Sequence, residues 1–574
     1  MKHAPVTPLI VIPFLLCAAA GVAPAQTVTA KPASSPAARK APPAASKDAA
    51  AIDQLFRAAA KPGEPGLAVI VVRKGQTLHR AAYGMANVEL GVALQPDHVL
   101  RIGSVTKQFT SAAIMMLAEE GKLAVTDPIT KFLPDYPAQG KTITIEHLLT
   151  HTSGIQSYTD MPKWRSMFRQ DMSLTELIDL FKNEPMQFEP GARWRYNNSG
   201  YILLGAIIEK ASGKKYADFV QERIFTPLGM NDTRYDVTEQ VIPRRAAGYG
   251  KSGERIVNAQ YLSMTQPYAA GSLISTVDDL AKWDAGLAAG RVVNADSLAK
   301  IFTSYALASG SDSSYGYGWS IGRYEGRAVQ EHGGGIHGFR SYVLRIPSDG
   351  VYVAVLSNIA AAAPSPDMLA RKAAAIAIGK PLVNPPAVAM TAEQLDAYVG
   401  RYRTVSGTHH AVTREGTRMF LQPAGGERLE VFPAGGDVFF EKDGFLRLRF
   451  EREAGGQAAR LVVDNWGSRP AAVRDTAPEP PARTAIEVDP ATLNAYVGEY
   501  ELAPGFVLAV TLEGNRLMTQ ATGQGKVEIF PSSPTEFFLK VVDAQITFVK
   551  DASGAVTQLV LHQGGRDMPA KKIK

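Results

Sequence analysis

The chain has 574 residues, of which 45 % are hydrophobic and 20 % are charged. This ordinary globular composition excludes a mostly disordered, a collagen-like or a multi-spanning membrane protein. The net charge is +6, from 61 Lys and Arg against 55 Asp and Glu, without a run of five like charges, so we expect no nucleic-acid partner. The length exceeds what one hydrophobic core supports and predicts two to four domains.

Residues 1–25 predict a secretory signal peptide. A positive start at residues 1–3 precedes a short apolar run at residues 9–20 and small residues at 23–25, where a signal peptidase would cut. Residues 26–50 are mostly Ala, Pro, Ser, Lys and Thr, a composition that predicts a linker. We therefore expect export, to the periplasm first, and no integral membrane segment after signal cleavage. Because the one cysteine lies in the leader, the mature protein has no disulfide and no thiol nucleophile.

Residues 51–385 mix strand and helix patterns. Leu67–Val72 and Val351–Leu356 are apolar, β-branched runs typical of buried strands. Thr106–Glu120 has apolar residues on one face and Gly121 as a stop signal, which predicts a helix. Helices enclosed between distant strands of one sheet predict an α+β layer fold.

The C-terminal part contains a repeat at a constant offset of 98 residues, in which Tyr398–Tyr402 recurs as Tyr496–Tyr500. The offset indicates two copies of one domain, which we place at residues 386–482 and 483–574. Short strand patterns such as Arg418–Leu421, separated by Gly and Pro, predict a small antiparallel barrel or sandwich for each copy. The pattern leaves open whether the copies only cover the N-terminal domain or help to recognise a ligand.

Ser104 and Lys107 are the strongest candidates for nucleophilic catalysis. A serine at a helix start lies near free backbone N–H groups and the positive end of the helix dipole, and a lysine three residues later emerges on the same face. Partial burial would lower the Lys107 pKa and let its amine accept the serine proton. The chain contains two other Ser-x-x-Lys matches, Ser212/Lys215 and Ser297/Lys300. Only Ser104 combines an apolar approach with a well-formed apolar helix.

Two further motifs supply partners for Ser104. In Tyr196-Asn197-Asn198, a phenol beside a lysine can titrate low enough to shuttle protons, and an amide side chain can hold a substrate carbonyl. The glycines after His332 would let a substrate lie against the backbone, with an N–H facing a developing oxyanion. The Tyr-x-Asn motif alone is also compatible with a structural turn.

Two other patterns favour structural roles. His147 and His151 have a spacing that suits a metal, but no third ligand is evident, so we expect structural histidines and neither metal nor cofactor. The aromatic run from Tyr315 to Trp319 suits a substrate cleft, but aromatic packing is the favoured interpretation.

The motifs RIGSVTKQFT, LLTHTSG, YNNSGYILLGAIIEKASG and HGGGIHGF occur in the order and approximate spacing of the penicillin-recognising serine hydrolases. Residues 55–360 resemble the branch of class C β-lactamases, D-alanyl-D-alanine carboxypeptidases and D-aminopeptidases, serine peptidase family S12. The resemblance implies a β-lactamase/transpeptidase-like domain, an antiparallel sheet with helices on both faces and a helical subdomain, followed by two lipocalin-like antiparallel β-barrels.

The resemblance also implies site roles. They are Ser104 as nucleophile, Lys107 and Tyr196 as proton-transfer pair, Asn198, His332 and Gly334 as substrate-binding residues, and the backbone N–H groups of Ser104 and Gly335 as oxyanion hole. His332 stands where many members carry lysine and gives no fixed charge for a substrate carboxylate. We therefore expect small-molecule or short-peptide substrates: D-configured peptides or amides first, small esters second, β-lactams third. The alternative functions are a non-catalytic peptide- or glycan-binding protein and a metallohydrolase that uses His147 and His151. The sequence leaves the oligomeric state open.

Overall fold

The computed structural model describes residues 46–404, 409–424, 426–452, 456–466, 471–476, 485–503, 506–522, 526–539, 544–563 and 566–574. The predicted signal peptide and most of the predicted linker lie outside these residues. The linker prediction extends too far at its C-terminal end, because a helix already begins at Lys47. Ser46 caps this helix by accepting a hydrogen bond from Ala49 N, and alanine is the best helix former.

The N-terminal domain contains one large sheet and several short strand pairs. Its strands are β1 (Leu67–Arg73), β2 (Gln76–Tyr83), β3 (Met85–Asn87), β4 (Val92–Ala93), β5 (Leu100–Arg101), β6 (Arg234–Tyr235), β7 (Tyr249–Ser252), β8 (Arg255–Asn258), β9 (Leu273–Ser275), β10 (Ser320–Tyr324), β11 (Arg327–Ile336), β12 (Phe339–Ile346) and β13 (Val351–Ser357). Within residues 46–404, the large sheet has six antiparallel strands in the order β10-β11-β12-β13-β1-β2. The two strands predicted far apart in sequence are therefore direct neighbours, with Val69 opposite Val355.

Helices cover both faces of this sheet. The helices of this domain are α1 (Lys47–Ala59), α2 (Thr106–Glu119), α3 (Ile145–Leu149), α4 (Pro162–Arg165), α5 (Leu174–Asp179), α6 (Asn198–Ser212), α7 (Tyr216–Val220), α8 (Thr226–Leu228), α9 (Tyr268–Gly271), α10 (Val277–Ala288), α11 (Ala295–Ile301) and α12 (Pro366–Ala377). Two further helices, α13 (Ala392–Asp396) and α14 (Pro490–Ala495), pack in the C-terminal part of the chain. Among the helices that the structure describes, none combines the length and apolar character needed to cross a membrane.

Two apolar cores follow from the strand alternation. In β1, Val69 packs with α1 and α12 on one face, whereas Ile70 packs with α2 and α10 on the other. Successive strand side chains point to opposite faces, so a continuous apolar run is what a strand covered on both sides requires. The predicted α+β fold with helices on both faces is confirmed.

Two closed antiparallel barrels, each of eight strands among the described residues, follow the N-terminal domain. The first contains β14 (Gly400–Thr404), β15 (His409–Glu415), β16 (Arg418–Pro423), β17 (Leu429–Gly435), β18 (Val438–Phe440), β19 (Arg447–Arg452), β20 (Ala458–Asp464) and β21 (Ala471–Arg474). The second contains β22 (Gly498–Ala503), β23 (Phe506–Glu513), β24 (Arg516–Ala521), β25 (Val527–Pro531), β26 (Glu536–Leu539), β27 (Ala544–Lys550), β28 (Val556–Gln563) and β29 (Arg566–Lys572). The alternative of a sandwich is excluded by this closure.

The sequence repeat is also a repeat of buried contacts. The hydroxyl of Tyr402 donates to Tyr398 O at 2.7 Å, and 98 residues later the hydroxyl of Tyr500 donates to Tyr496 O at 2.8 Å. All four rings are buried in the barrel cores. The repeated Tyr-x-x-x-Tyr pattern therefore encodes the same internal contact in both barrels.

The first barrel packs against the N-terminal domain. Its Phe445 and Trp466 belong to the core on the α1 and α12 face of the sheet, and the Trp466 ring stacks on Tyr324 of β10 with centroids 3.9 Å apart. At the 98-residue offset the second copy carries Asp543 and Gly564. The aromatic docking residues are thus a property of the first copy.

Candidate active site

Ser104 lies in a short 3-10 turn, Gly103–Val105, between β5 and helix α2. It therefore precedes the helix rather than opening it. Gly103 has a φ of +50°, and a Cβ at this position would lie 3.0 Å from Gly335 N. Glycine adopts this backbone conformation without strain. The close approach places the Ser104 turn directly against strand β11.

Lys107 is fully buried one helical turn after Ser104. Its Nζ lies 3.3 Å from Ser104 Oγ, 2.8 Å from Asn198 Oδ1 and 2.9 Å from Ala270 O. Burial holds the pKa of this amine well below its ordinary value. A neutral amine donates its two N–H groups to the two closer oxygens and directs its lone pair at the Ser104 hydroxyl. This arrangement can take the serine proton.

Tyr196 stands beside this pair with its ring face toward Lys107, at 4.8 Å from Nζ to the ring centroid. Burial raises the pKa of the Tyr196 phenol, and the Ser104 hydroxyl offsets only part of that rise. The expectation that this phenol titrates low is therefore wrong, because desolvation disfavours the phenolate. Its oxygen has no hydrogen bond of normal geometry to any residue that the structure describes. A protonated phenol beside the Ser104 hydroxyl is suited to donating a proton to a bound substrate.

Asn198, the first residue of α6, uses both atoms of its amide within the protein. Oδ1 accepts from Lys107 Nζ, and Nδ2 donates to Thr159 Oγ1 at 3.0 Å. Gly213 ends this helix in a left-handed conformation. Asn198 is therefore a hydrogen-bond partner of Lys107, in addition to the substrate-binding role that the resemblance implies.

His332 and the following glycines lie on β11. His332 Nε2 is 2.8 Å from the Tyr315 hydroxyl, and Nδ1 is 2.7 Å from Gly333 O. Burial is the largest of the causes that lower the pKa of His332 to about 3. A Cβ on Gly334 would meet Ile102 O at 2.1 Å. Glycine is therefore required there for the strand to pack on the Ser104 turn.

A cavity of about 620 Å³ opens at Ser104. It is lined by Ser104, Trp194, Tyr196, Tyr315, Ser320, residues 332–335, residues 340–342, residues 360–362 and residues 365–367. Its charged lining residues are Arg340, whose guanidinium donates to Ala360 O, and Asp367. A second cavity of about 110 Å³ lies on another side of Ser104 and includes Asn198. The nucleophile thus stands where two cavities meet.

The structure brings together every residue that the sequence placed in the site, and adds two. Tyr315 lines the main cavity, contrary to the interpretation that favoured packing alone. His151 follows the end of α3 with a φ of +60°, and its Nε2 lies 3.2 Å from the Tyr315 hydroxyl. Among the described residues, no group of three His, Cys, Asp or Glu side chains is placed to hold a metal. The sequence motif LLTHTSG contains His151 and could have identified it as a residue of the site.

The site combines a serine on a tight turn, a buried lysine aimed at it, a phenol, and a glycine-rich strand on one wall. These features define a serine hydrolase of the β-lactamase/transpeptidase fold. Residues 52–378 match the profile of the Beta-lactamase family, and residues 482–572 match a domain of unknown function, DUF3471. The chain belongs to the β-lactamase family, and it is related to penicillin-binding proteins and D-amino acid amidases.

Three relatives show the extent of this relation. Penicillin-binding protein 4* of Bacillus subtilis is 31% identical over 434 residues, which cover 71% of this chain and 94% of the relative. An octameric penicillin-binding protein homologue from Pyrococcus abyssi is similar with a TM-score of 0.52, 26% identity and coverage of 75% of this chain and 99% of that one. D-amino acid amidase from Ochrobactrum anthropi, complexed with L-phenylalanine amide, has a TM-score of 0.50, 25% identity and coverage of 58% and 98%.

Proposed function

We propose that the protein hydrolyses D-amino-acid amides or short D-amino-acid peptides through an acyl-enzyme on Ser104. The observation that carries the acyl-enzyme mechanism is the position of Lys107, fully buried with its amine 3.3 Å from the serine oxygen. A buried lysine with a lowered pKa is a general base, and an adjacent base is what activates a serine hydroxyl.

In acylation, Ser104 Oγ bonds to the substrate carbonyl carbon and its proton passes to Lys107. Tyr196 then donates its phenolic proton to the leaving amine, the bond to that amine breaks, and Tyr196 regains a proton from the Lys107 ammonium. In deacylation, water attacks the ester while the same pair accepts its proton and returns it to Ser104 Oγ. The pair thus ends each cycle in its starting protonation state.

The oxyanion of each tetrahedral intermediate needs N–H donors beside Ser104. The backbone N–H groups of Ser104 and Gly335 are the proposed donors. Their proximity is supported by the contact between the Ser104 turn and β11, where a Cβ on Gly103 would lie 3.0 Å from Gly335 N.

The substrate class is supported by the charge state of the β11 wall. Both ring nitrogens of His332 are already used within the protein, and its pKa is far below neutrality. The ring therefore supplies neither a charge nor a free N–H to a substrate carboxylate. Amides and esters without that carboxylate fit this wall, in keeping with the likeness to a D-amino acid amidase.

Arg340 favours a second candidate function, D-alanyl carboxypeptidase activity. Its guanidinium lines the main cavity beside Gly335 and lies 3.4 Å from where a Cβ of that glycine would be. A guanidinium is a good partner for a terminal carboxylate. The amidase and carboxypeptidase functions differ in whether this cation contacts the leaving group.

The mechanism is tested by intact mass spectrometry after incubation with a fluorophosphonate and, separately, with a fluorescent penicillin. We expect one fluorophosphonate adduct on the wild-type protein and none on Ser104→Ala. Ser212→Ala is the matched control, because Ser212 begins another Ser-x-x-Lys pattern but its hydroxyl donates to Ile208 O in helix α6. Labelling of folded Ser104→Ala to the wild-type extent would refute the assignment.

The substrate class is tested by comparing D-phenylalanine amide, L-phenylalanine amide and D-alanyl-D-alanine. Faster release of ammonia from the D-amide than of D-alanine from the dipeptide supports the amidase proposal. Faster cleavage of the dipeptide, lost in Arg340→Gln while amide hydrolysis persists, would favour the carboxypeptidase instead.

Export is part of the same proposal and is supported by the N-terminal sequence pattern. We expect protein recovered from a periplasmic extract of a Gram-negative host to begin at Gln26. N-terminal sequencing checks this, and a cytoplasmic product that retains Met1 would contradict it.

A further inference from the structure

Three buried side chains form a hydrogen-bonded chain along the wall of the main cavity. Asn197 N donates to His151 Nδ1 at 3.1 Å, and His151 Nε2 lies 3.2 Å from the Tyr315 hydroxyl. That hydroxyl lies 2.8 Å from His332 Nε2, and His332 Nδ1 lies 2.7 Å from Gly333 O. The chain therefore begins at one backbone group and ends at another.

The two backbone ends fix the direction of every hydrogen bond between them. A backbone N–H only donates, so His151 accepts at Nδ1 and carries its proton on Nε2. A carbonyl only accepts, so His332 carries its proton on Nδ1 and accepts at Nε2. The Tyr315 hydroxyl accepts from His151 and donates to His332. Each neutral imidazole thus has one tautomer, and the two tautomers are opposite.

We propose that the His151–Tyr315–His332 chain is a positioning network that keeps His332 neutral and thereby selects substrates without a carboxylate at the β11 wall. The proposal rests on the proposed function, since it explains why that wall favours amides and esters. In this proposal, Tyr315 and His151 influence substrate selectivity through their effect on His332.

The directions of these hydrogen bonds explain why the His151–Tyr315–His332 chain resists protonation of His332. A second proton on this ring must occupy Nε2, where the Tyr315 hydroxyl already donates. Tyr315 could turn its proton toward His151 only if His151 carried its own proton on Nδ1, but that atom faces Asn197 N–H. Protonation therefore reverses the hydrogen bond between Tyr315 and His332 and turns the Tyr315 proton toward the Tyr201 phenol, which faces it from α6.

The surroundings of His332 act in the same direction. The titratable groups that face it are Lys107 from α2, Tyr196 from the segment before α6, and Tyr315, behind which lie His151 and Tyr201 of α6. No carboxylate among the described residues makes an ion pair with His332. Burial lowers the pKa of both histidines, so the ring pair stays uncharged.

Packing alone is the competing explanation for Tyr315. Its ring lies 4.7 Å from the His151 ring and 5.9 Å from the Trp194 ring, centroid to centroid. Tyr315→Phe keeps these ring contacts and removes only the hydroxyl. Tyr317→Phe is the matched control, because Tyr317 belongs to the same loop, is also buried and donates its hydroxyl to Glu146.

The first measurement is the side-chain ¹⁵N spectrum of histidine-labelled protein, with His332 assigned by loss of its signals in His332→Gln. In the wild type and in Tyr317→Phe, we expect His332 as the neutral Nδ1–H tautomer from pH 5 to 8. In Tyr315→Phe, Gly333 O still accepts from Nδ1 but Nε2 has lost its donor, so we expect His332 to take up a second proton at a higher pH than in the wild type. A wild-type His332 that is protonated at pH 5, or that carries its proton on Nε2, would overturn the proposal.

The second measurement compares acylation by a penicillin, which carries a carboxylate, with acylation by a neutral ester. We expect the penicillin-to-ester rate ratio of Tyr315→Phe to rise about tenfold at pH 5 relative to wild type, the size of one gained charge-assisted hydrogen bond. Equal ratios in Tyr315→Phe and Tyr317→Phe would overturn the selectivity role. Absence of fluorophosphonate labelling at Ser104 would instead refute the proposed function, and the tautomer measurement remains decisive for the chain.

Discussion

The chain contains the same four-residue pattern in two regions with opposite surroundings. Ser104 and Lys107 stand where a turn enters helix α2, in the interior of the N-terminal domain. Ser212 and Lys215 stand where helix α6 ends, and the Lys215 side chain is 77% exposed and paired with Glu209. The Ser-x-x-Lys spacing alone therefore does not make the lysine a general base for the serine.

The difference lies in what the amine contacts. Among the described residues, Lys107 Nζ has only neutral oxygens as hydrogen-bond partners, and desolvation lowers its pKa. Lys215 has a carboxylate 3.4 Å away and free access to water. Of the two lysines, Lys107 alone has the surroundings of a neutral amine beside a serine.

Replacing the two lysines in turn tests this comparison most strongly. We expect Lys107→Ala to lower the rate of Ser104 acylation by about 10³-fold or more, the size of effect of a general base. We expect Lys215→Ala to acylate at the wild-type rate. Fluorophosphonate labelling rates measure both, and equal losses would show that the buried surroundings of Lys107 are irrelevant.

Asn198→Ala sharpens the comparison by removing a hydrogen-bond partner of Lys107. The amide oxygen 2.8 Å from Nζ is lost, so the amine is no longer held with its lone pair toward Ser104. We expect a 10- to 100-fold lower acylation rate, as for the loss of one strong hydrogen bond. Thr159→Val, which removes the partner of Asn198 Nδ2, should cost less. An unchanged rate in Asn198→Ala would contradict the positioning role.

The fold and most of the site were predictable because they depend on local patterns. The apolar runs of β1 and β13, the repeat at 98 residues and the motif around Ser104 each carry their own signal. The chain His151–Tyr315–His332 was not predictable, since it joins three segments whose contact depends on tertiary packing. The protonation state of Tyr196 was mispredicted for the same reason, because burial decides its pKa.

The pH dependence of the free energy of unfolding gives a third test of the buried Lys107 amine. The folded state holds Lys107 with a lowered pKa, so above that pKa and below about 10.5 the unfolded state binds one more proton. The free energy of unfolding then rises with pH in this window, by about 1.4 kcal/mol per unit from this group. Lys107→Met should remove that slope in urea unfolding followed by tryptophan fluorescence, whereas Lys215→Met should keep it. A wild-type slope in Lys107→Met would contradict the lowered pKa.

The smallest expected effect concerns the exposed pair itself. Lys215→Met removes an ion pair in which the lysine is largely in water, and such pairs contribute about 0–1 kcal/mol. Glu209 keeps two other contacts, accepting from Tyr216 N at 3.0 Å and from the Tyr268 hydroxyl at 2.8 Å. We therefore expect the free energy of unfolding to fall by less than about 0.5 kcal/mol in the same urea titration. A larger loss would mean that Lys215 holds Glu209 in place for Tyr268, and the second pattern would then have a structural function where the first has a chemical one.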